Sequence, residues 1–363
     1  MNIQNLKKIE LEITSDCNAA CPGCARTLNL DKLNIQNLNF EKIKQIFPNK
    51  ESIDGKSFKF CGVLGDPAMH VECVDMVDYL TSYGGYCELS TNGGVQPVAW
   101  WERMGKISKE RPGLVYIHFC VDGHEETNHI YRVKTKFSIV ARNMQAYANY
   151  ASEGSAAWIY IVFDHNEHEI EKAKIHANTL GFNFATRTGM RNSLKNWVAT
   201  IAKKDKEKKK VVVEKKVITT TGKKEHSKKT QVAELDKFIM QYKLQKNKNK
   251  NFDKKKKEIL KTVVCKYIHE GEIFIGADAT LWPCCFLYDS AFKNQEGIID
   301  RLNQFEPNWN SLNYHTVNEI LQHPWYTTLL GASWDPDHEL HFARCIRTCA
   351  KNKAYHNEIK LDG

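Results

Sequence analysis

Six apolar runs rich in β-branched and aromatic residues, at 8–14, 57–61, 86–91, 114–121, 157–163 and 182–187, alternate with stretches of helical periodicity at 70–82, 98–106, 137–150 and 168–180. Strands separated by helices call for parallel neighbours joined by right-handed crossovers. The first half of the chain is therefore expected to form a curved parallel sheet with its helices outside. In the stretch 70–82 the spacing assigns Val71, Val74, Val77 and Leu80 to a buried stripe.

The first run, with Ile9, Leu11 and Ile13 alternating, leads into ELEITSDCNAACPGCART, where Cys17, Cys21 and Cys24 stand at C-x3-C-x2-C spacing. Thiolates are soft ligands that suit iron–sulfur clusters or zinc. Three of them on one loop imply that something else completes the coordination, and on a four-iron cluster one corner is left open. The loop resembles the signature of the radical S-adenosylmethionine superfamily, in which the amino and carboxylate groups of S-adenosylmethionine fill that corner. The resemblance implies an α/β fold, a partial (β/α)6 TIM-like barrel over 1–200, with a 4Fe-4S cluster on Cys17, Cys21 and Cys24 and S-adenosylmethionine as cofactor. Many relatives carry an aromatic residue before the third cysteine; this chain has Pro22-Gly23, so adenine packing has to come from elsewhere. The form CNAACPGCAR, with Arg26, is similar to relatives that carry a C-terminal auxiliary-cluster domain.

Further motifs follow the later runs. Gly65-Asp66-Pro67 in CGVLGDPAMH resembles the Gly-Glu-Pro motif whose backbone binds the amino end of the cofactor. Glycine lets main chain approach a ligand and proline holds the turn. With aspartate in place of glutamate, Asp66 is expected to act mainly through its backbone, so that Asp66→Ala weakens cofactor cleavage less than Asn92→Ala. Ser90, Thr91 and Asn92 in ELSTNGG are expected to offer short hydrogen-bonding groups to a ribose and a carboxylate. In IHFCVDGHEETNHIYR, Cys120 stands where relatives often have serine and is read as a weak cofactor contact or as packing. Arg132 is the candidate partner of the cofactor carboxylate, for which a guanidinium offers a bidentate fork. Cys61, Cys73 and Cys87 are read as core, His165 and His168 are given no role, and no catalytic acid, base or nucleophile is assigned.

The C-terminal third holds a second cysteine set. Cys265 precedes GEIFIGADATLWPCC, which reads as a hairpin turning at Gly276-Ala277-Asp278-Ala279 with Cys284 closing the second strand; Cys345 and Cys349 come later. Four thiolates complete a four-iron cluster or a structural zinc site. Residues 263–363 resemble the twitch domain, the shortened relative of the SPASM domain, which implies a small β-hairpin/α domain and a second 4Fe-4S auxiliary cluster on Cys265, Cys284, Cys345 and Cys349. TVNEILQHPWYTTL is similar to the helix that leads to the final cysteines. Cys284 is preferred to Cys285 because it falls at the family's Pro-Cys position, and period-two alternation turns Cys285 to the other face.

Twelve cysteines without an apolar signal segment after Met1-Asn2-Ile3 point to a reducing, cytoplasmic setting and to metal ligation instead of disulfides. No apolar run reaches 18 residues, which excludes a helical membrane span from the reading. The net charge of +9 is uneven: residues 203–261 carry 22 lysines against 8 acidic residues, so the remainder is mildly acidic. Residues 201–262 read as a lysine-rich insertion with one amphipathic helix in VAELDKFIMQYKL. Such a segment can bind nucleic acid, but it lacks an arginine-aromatic interleave and is read as solvated. The expected function is reductive cleavage of S-adenosylmethionine to a 5′-deoxyadenosyl radical that abstracts hydrogen from a peptide, protein or small-molecule substrate, giving oxidation, a cross-link or epimerisation. A flavodoxin- or ferredoxin-type protein would supply the electron. A nucleic-acid-modifying relative and a non-catalytic iron–sulfur or zinc protein are the alternatives.

Overall fold

The computed structural model describes residues 2–187, 263–294, 297, 308–334, 341–349 and 360–361. The lysine-rich insertion and its expected amphipathic helix lie outside these residues. Strands β1 (Lys8–Leu11), β2 (Ser57–Phe60), β3 (Tyr86–Thr91), β4 (Val115–Cys120), β5 (Ala156–Ile161) and β6 (Asn183–Arg187) lie side by side in parallel. All six expected strands are present, in chain order. On the far side of β1, strand β7 (Glu272–Ile275) pairs in parallel with it, and β8 (Leu281–Trp282) folds back antiparallel on β7. A two-residue strand β9 (Lys360–Leu361) closes the order β8-β7-β1-β2-β3-β4-β5-β6-β9.

Period-two alternation sends Ile9, Leu11, Phe58, Phe60, Cys87, Leu89, Ile117 and Phe119 to one face, where all are buried. Helices Cys73–Ser82, Val98–Glu110, Phe137–Ala148 and Ile170–Thr179 cover that face. They contribute Val77, Leu80, Trp101, Met104, Val140, Met144 and Tyr147 to the same core. Each large apolar side chain so buried adds about 1.5–3 kcal/mol. Helix Cys73–Ser82 begins later than the sequence pattern suggests, because Pro67–Met69 form a 3-10 turn first. Val71 therefore lies outside the helix and is 78% exposed, while Val74, Val77 and Leu80 form the buried stripe. Helix Val98–Glu110 outruns its expected end at 106, since Ile107 and Ser108 remain on the packed face.

The C-terminal hairpin turns as expected: Gly276 N donates to the Thr280 carbonyl, and Asp278 Oδ1 accepts from Thr280 N and Oγ1. Cys284, however, does not close a strand. β8 ends at Trp282, and Cys284 is the N-cap of helix Cys285–Phe292. Helix Val317–Gln322 opens on a capping box between Thr316 and Glu319 and leads to helix Ala343–Cys349. Among the described residues no helix is long and apolar enough to cross a membrane.

Under the helices, the His124 ring packs with Phe137, Trp158 and His176. It is 6% exposed, and neither ring nitrogen has a hydrogen-bond partner. Burial pushes its pKa down from the ordinary 6.5 to about 4, against the pull of Glu169. The unfolded chain therefore takes up the proton first as the pH falls. Stability is complete above pH 6.5 and is expected to drop by about 3 kcal/mol as the pH approaches 4. Urea unfolding of wild type and His124→Phe across this range checks the sign: the wild type should lose more stability than the variant, and parallel pH profiles would contradict it.

Candidate active site

The cysteine loop leaves β1 through Glu12, whose buried Oε1 accepts the N–H groups of Leu64 (2.6 Å) and Gly65 (2.9 Å). Burial raises the Glu12 pKa to about 8 against these N–H groups. The contact draws the loop after β2 onto the end of β1, so closely that a Cβ on Gly65 would stand 1.8 Å from the Thr14 carbonyl oxygen. Only glycine fits there. Asp16 joins both loops: its carbonyl accepts Asp66 N at 2.8 Å, and its Oδ1 accepts Cys17 N at 2.8 Å and Arg26 Nη2 at 3.2 Å. Ala20 N donates to the Val133 carbonyl at 2.9 Å, and Cys24 N to that of Cys21 at 3.1 Å.

Cys17, Cys21 and Cys24 thus stand together at one wall of a cavity of about 580 Å³ at the C-terminal ends of the strands, where Gly65, Asp66, Ser90, Thr91, Asn92, Cys120 and Arg132 also face it. Pro67 is buried behind Asp66 at the start of the 3-10 turn. The sequence-derived candidates of the barrel therefore converge, but three of them do different work from that expected. The Asp66 carboxylate turns inward and accepts from Thr91 Oγ1 (2.8 Å), Asn92 N (2.7 Å), Asn92 Nδ2 (2.7 Å) and Ala68 N (3.0 Å). Asp66 acts through its side chain as the hub of two loops, which corrects the expectation of a mainly backbone role. The Thr91 hydroxyl is held by Asp66 and Gly93 N, and the Asn92 amide by Asp66, Asn18 and Gly94 N. Of the three polar residues that end β3, Ser90 presents its hydroxyl to the cavity and the other two brace the loops.

Arg132 Nε donates to Asp122 Oδ2 at 2.7 Å, and Asp122 Oδ1 accepts Ile161 N at 2.7 Å. This fixes the guanidinium beside Cys21 and Cys120 at the wall of the cavity. Cys120 packs near Ala157, Ile159 and Ala185, in line with the packing half of its reading. An aromatic wall missing from Pro22-Gly23 comes from Tyr131, tilted at 40° against Phe163 with ring centroids 4.6 Å apart, and from Phe286. Sequence reading missed these because they lie far from the cysteines along the chain.

The donor set suits a cluster. Burial first, then Asp66 and the two neighbouring thiols, push the Cys17 thiol up to about 12. Three thiolates crowded in this way persist as anions only with compensating positive charge between them. Asn92 Nδ2 lies 3.8 Å from Cys17 Sγ, with its two hydrogens donated to Asp66 and Asn18. The four C-terminal thiols, Cys265, Cys284, Cys345 and Cys349, line one small enclosed space with Leu287 and Trp334. Burial raises Cys284 to about 12 and Cys349 to about 11, while first-turn N–H groups of Phe286 and Leu287 oppose the shift at Cys284. Cys285 instead faces the barrel beside Glu10 and Cys61. Cys284 thus shares its space with Cys265, Cys345 and Cys349 while Cys285 does not, and the separation arises at the helix start, not through strand alternation. Among the described residues no three His, Cys, Asp or Glu side chains are drawn together tightly enough to hold a single metal ion.

A second cavity of about 390 Å³ adjoins the first, inside the barrel. Its walls carry Glu10, Lys59 and Glu88, which share one register level, with Ser90 paired to His118 beyond them. Lys59 Nζ bonds Glu10 Oε1 at 3.1 Å, and His118 Nδ1 lies 3.6 Å from Glu88. Cys61 faces both cavities, which corrects its assignment to the core; Cys73 and Cys87 are fully buried there. The signal was available in the sequence: KIEL, SFKF, CELS and IHFC alternate apolar residues with charged or polar ones, whereas strands buried on both faces read as continuous apolar runs.

No protein-family model matches the chain, and no curated protein matches it. Solved structures do. SuiB of Streptococcus suis matches with a TM-score of 0.51 at 9% identity, over 89% of this chain and 67% of SuiB. His-tagged anSMEcpe with bound S-adenosylmethionine matches with a TM-score of 0.46 at 15% identity, over 87% and 80% of the two chains. BtrN in complex with S-adenosylmethionine and 2-DOIA matches with a TM-score of 0.42 at 9% identity, over 89% and 85%. The fold shared with SuiB is a partial β/α barrel built on a mainly parallel sheet. The chain spans about two thirds of the length of SuiB, which has also been solved bound to S-adenosylmethionine and to the precursor peptide SuiA.

Proposed function

We propose that this chain is a radical S-adenosylmethionine enzyme acting on a peptide, protein or small molecule. The observation that carries the reading is the convergence of Cys17, Cys21 and Cys24 with Gly65, Ser90 and Arg132 around one cavity at the strand ends. The three thiols would hold a 4Fe-4S cluster with one iron free for the cofactor. When bound, cluster and S-adenosylmethionine supply reductive cleavage to a 5′-deoxyadenosyl radical able to take hydrogen from an unactivated carbon. The chain's own part is placement. Glycine at 65 lets main chain reach the amino end of the cofactor, Arg132 offers N–H groups to its carboxylate, and Tyr131 and Phe286 exclude water beside the base. Cys265, Cys284, Cys345 and Cys349 would hold a second cluster, and a flavodoxin- or ferredoxin-type donor would supply the electron.

The test is spectroscopic. In anaerobically reconstituted, reduced protein, adding S-adenosylmethionine should change the electron paramagnetic resonance of the cluster on Cys17, Cys21 and Cys24, because the cofactor ligates its open iron. An unchanged spectrum at saturating cofactor would count against the reading. The same preparation tests the auxiliary site: Cys284→Ala should lower iron from about eight to about four per chain, while Cys285→Ala keeps about eight. Zinc in place of iron at the C-terminal thiols would overturn the second cluster.

A further inference from the structure

The inner cavity is built from charge where barrels are ordinarily filled by branched apolar side chains. Glu10 is 2% exposed, and its Oε2 has no hydrogen-bond partner. Leaving a buried carboxylate oxygen unpaired is costly, and the site is roomy enough for a ligand donor to satisfy it. At the other end Arg187 closes β6 and faces both cavities. Among the described residues its guanidinium forms no ion pair or hydrogen bond. Lys59 is taken up by Glu10 and His118 stands beside Glu88, so among the described residues the compartment offers one cation without an ion pair, on β6, and one acceptor oxygen without a hydrogen-bond partner, Glu10 Oε2 on β1.

Resting on the enzyme reading above, we propose that this inner compartment receives the substrate, and that the substrate unit carries a carboxylate for Arg187 together with an amino or hydroxyl donor for Glu10. An acidic residue of a peptide and a sugar acid share that chemistry. Arg187 sits where the two cavities meet, so a carboxylate held there places the adjoining carbons between the charged compartment and the cofactor cavity. An apolar substrate would leave Glu10 Oε2 and the Arg187 guanidinium desolvated without added partners.

Binding to reconstituted protein holding S-adenosylmethionine tests this without turnover. The probes are acetyl-Ala-Glu-Ala-amide against its glutamine counterpart, and glucuronic acid against glucuronamide. In one pair the carboxylate member should bind about tenfold tighter or more than the amide, and that pair tells peptide from sugar. Arg187→Met should abolish the preference and Arg187→Lys keep part of it; Glu10→Gln should weaken both members alike. Equal binding of acid and amide, a preference that survives Arg187→Met, or no binding by any probe at 10 mM (roughly the weak limit of specific recognition) overturns the proposal. Retained preference in a protein that never forms 5′-deoxyadenosine would instead sink the enzyme reading and leave the compartment as a binding site for acids, not for a substrate.

Discussion

Alanine at Cys17, Cys21 and Cys24 together is expected to abolish 5′-deoxyadenosine formation and to remove about four of about eight irons from reconstituted protein. The three side chains share one cavity wall, and the loop that carries them is pinned from both sides by Asp16, Arg26 and Ala20. Removing the thiols would therefore take away the ligands of the proposed cluster while leaving the loop's own hydrogen bonds, which are made by other groups. The remaining irons should report the C-terminal thiols alone. Full loss of iron in the triple variant would mean that the two cysteine sets are not independent, and retained cleavage would place the chemistry elsewhere.

The second large effect belongs to Asp66. Its buried carboxylate accepts four hydrogen bonds that join the loops after β2 and β3. Asp66→Ala leaves the N–H groups of Ala68 and Asn92 unpaired, each costing about 1–3 kcal/mol, so a loss of about 3–5 kcal/mol is expected together with loss of cofactor binding. Asp66→Asn should rescue little, because its amide group would face the Asn92 donors. Asn92→Ala should cost less stability, since it leaves Asp66 its bonds to Thr91 and Ala68. Denaturant unfolding of the three variants without cluster decides this, and an Asp66→Ala protein within 1 kcal/mol of wild type (about the net worth of one ordinary hydrogen bond) would refute the hub.

What could be read in the sequence follows from how locally each feature is determined. The strands at 57–61 and 86–91 and the hairpin at Gly276-Ala277-Asp278-Ala279 depend on alternation and turn chemistry among neighbours, and all appear. The parallel pairing of β7 with β1 joins residues more than 250 positions apart and left no local trace. Asp66 was legible as part of a turn, but the direction of its carboxylate depends on Thr91 and Asn92 arriving from the next β/α unit. Cys61 looked like core beside Phe60 because one-dimensional patterns do not say which face of a strand is the barrel interior. The charged row of Glu10, Lys59 and Glu88 was visible as alternation, yet its meaning needed the register that sets the three side by side.

The measurement that bears most directly on the central claim is product analysis after mixing anaerobically reconstituted, reduced protein with S-adenosylmethionine. Methionine and 5′-deoxyadenosine should accumulate in equal amounts, slowly without substrate, and neither should form in the protein lacking Cys17, Cys21 and Cys24. Reduced protein with its full iron that releases no 5′-deoxyadenosine, alone or with acidic peptides and sugar acids, would contradict the account.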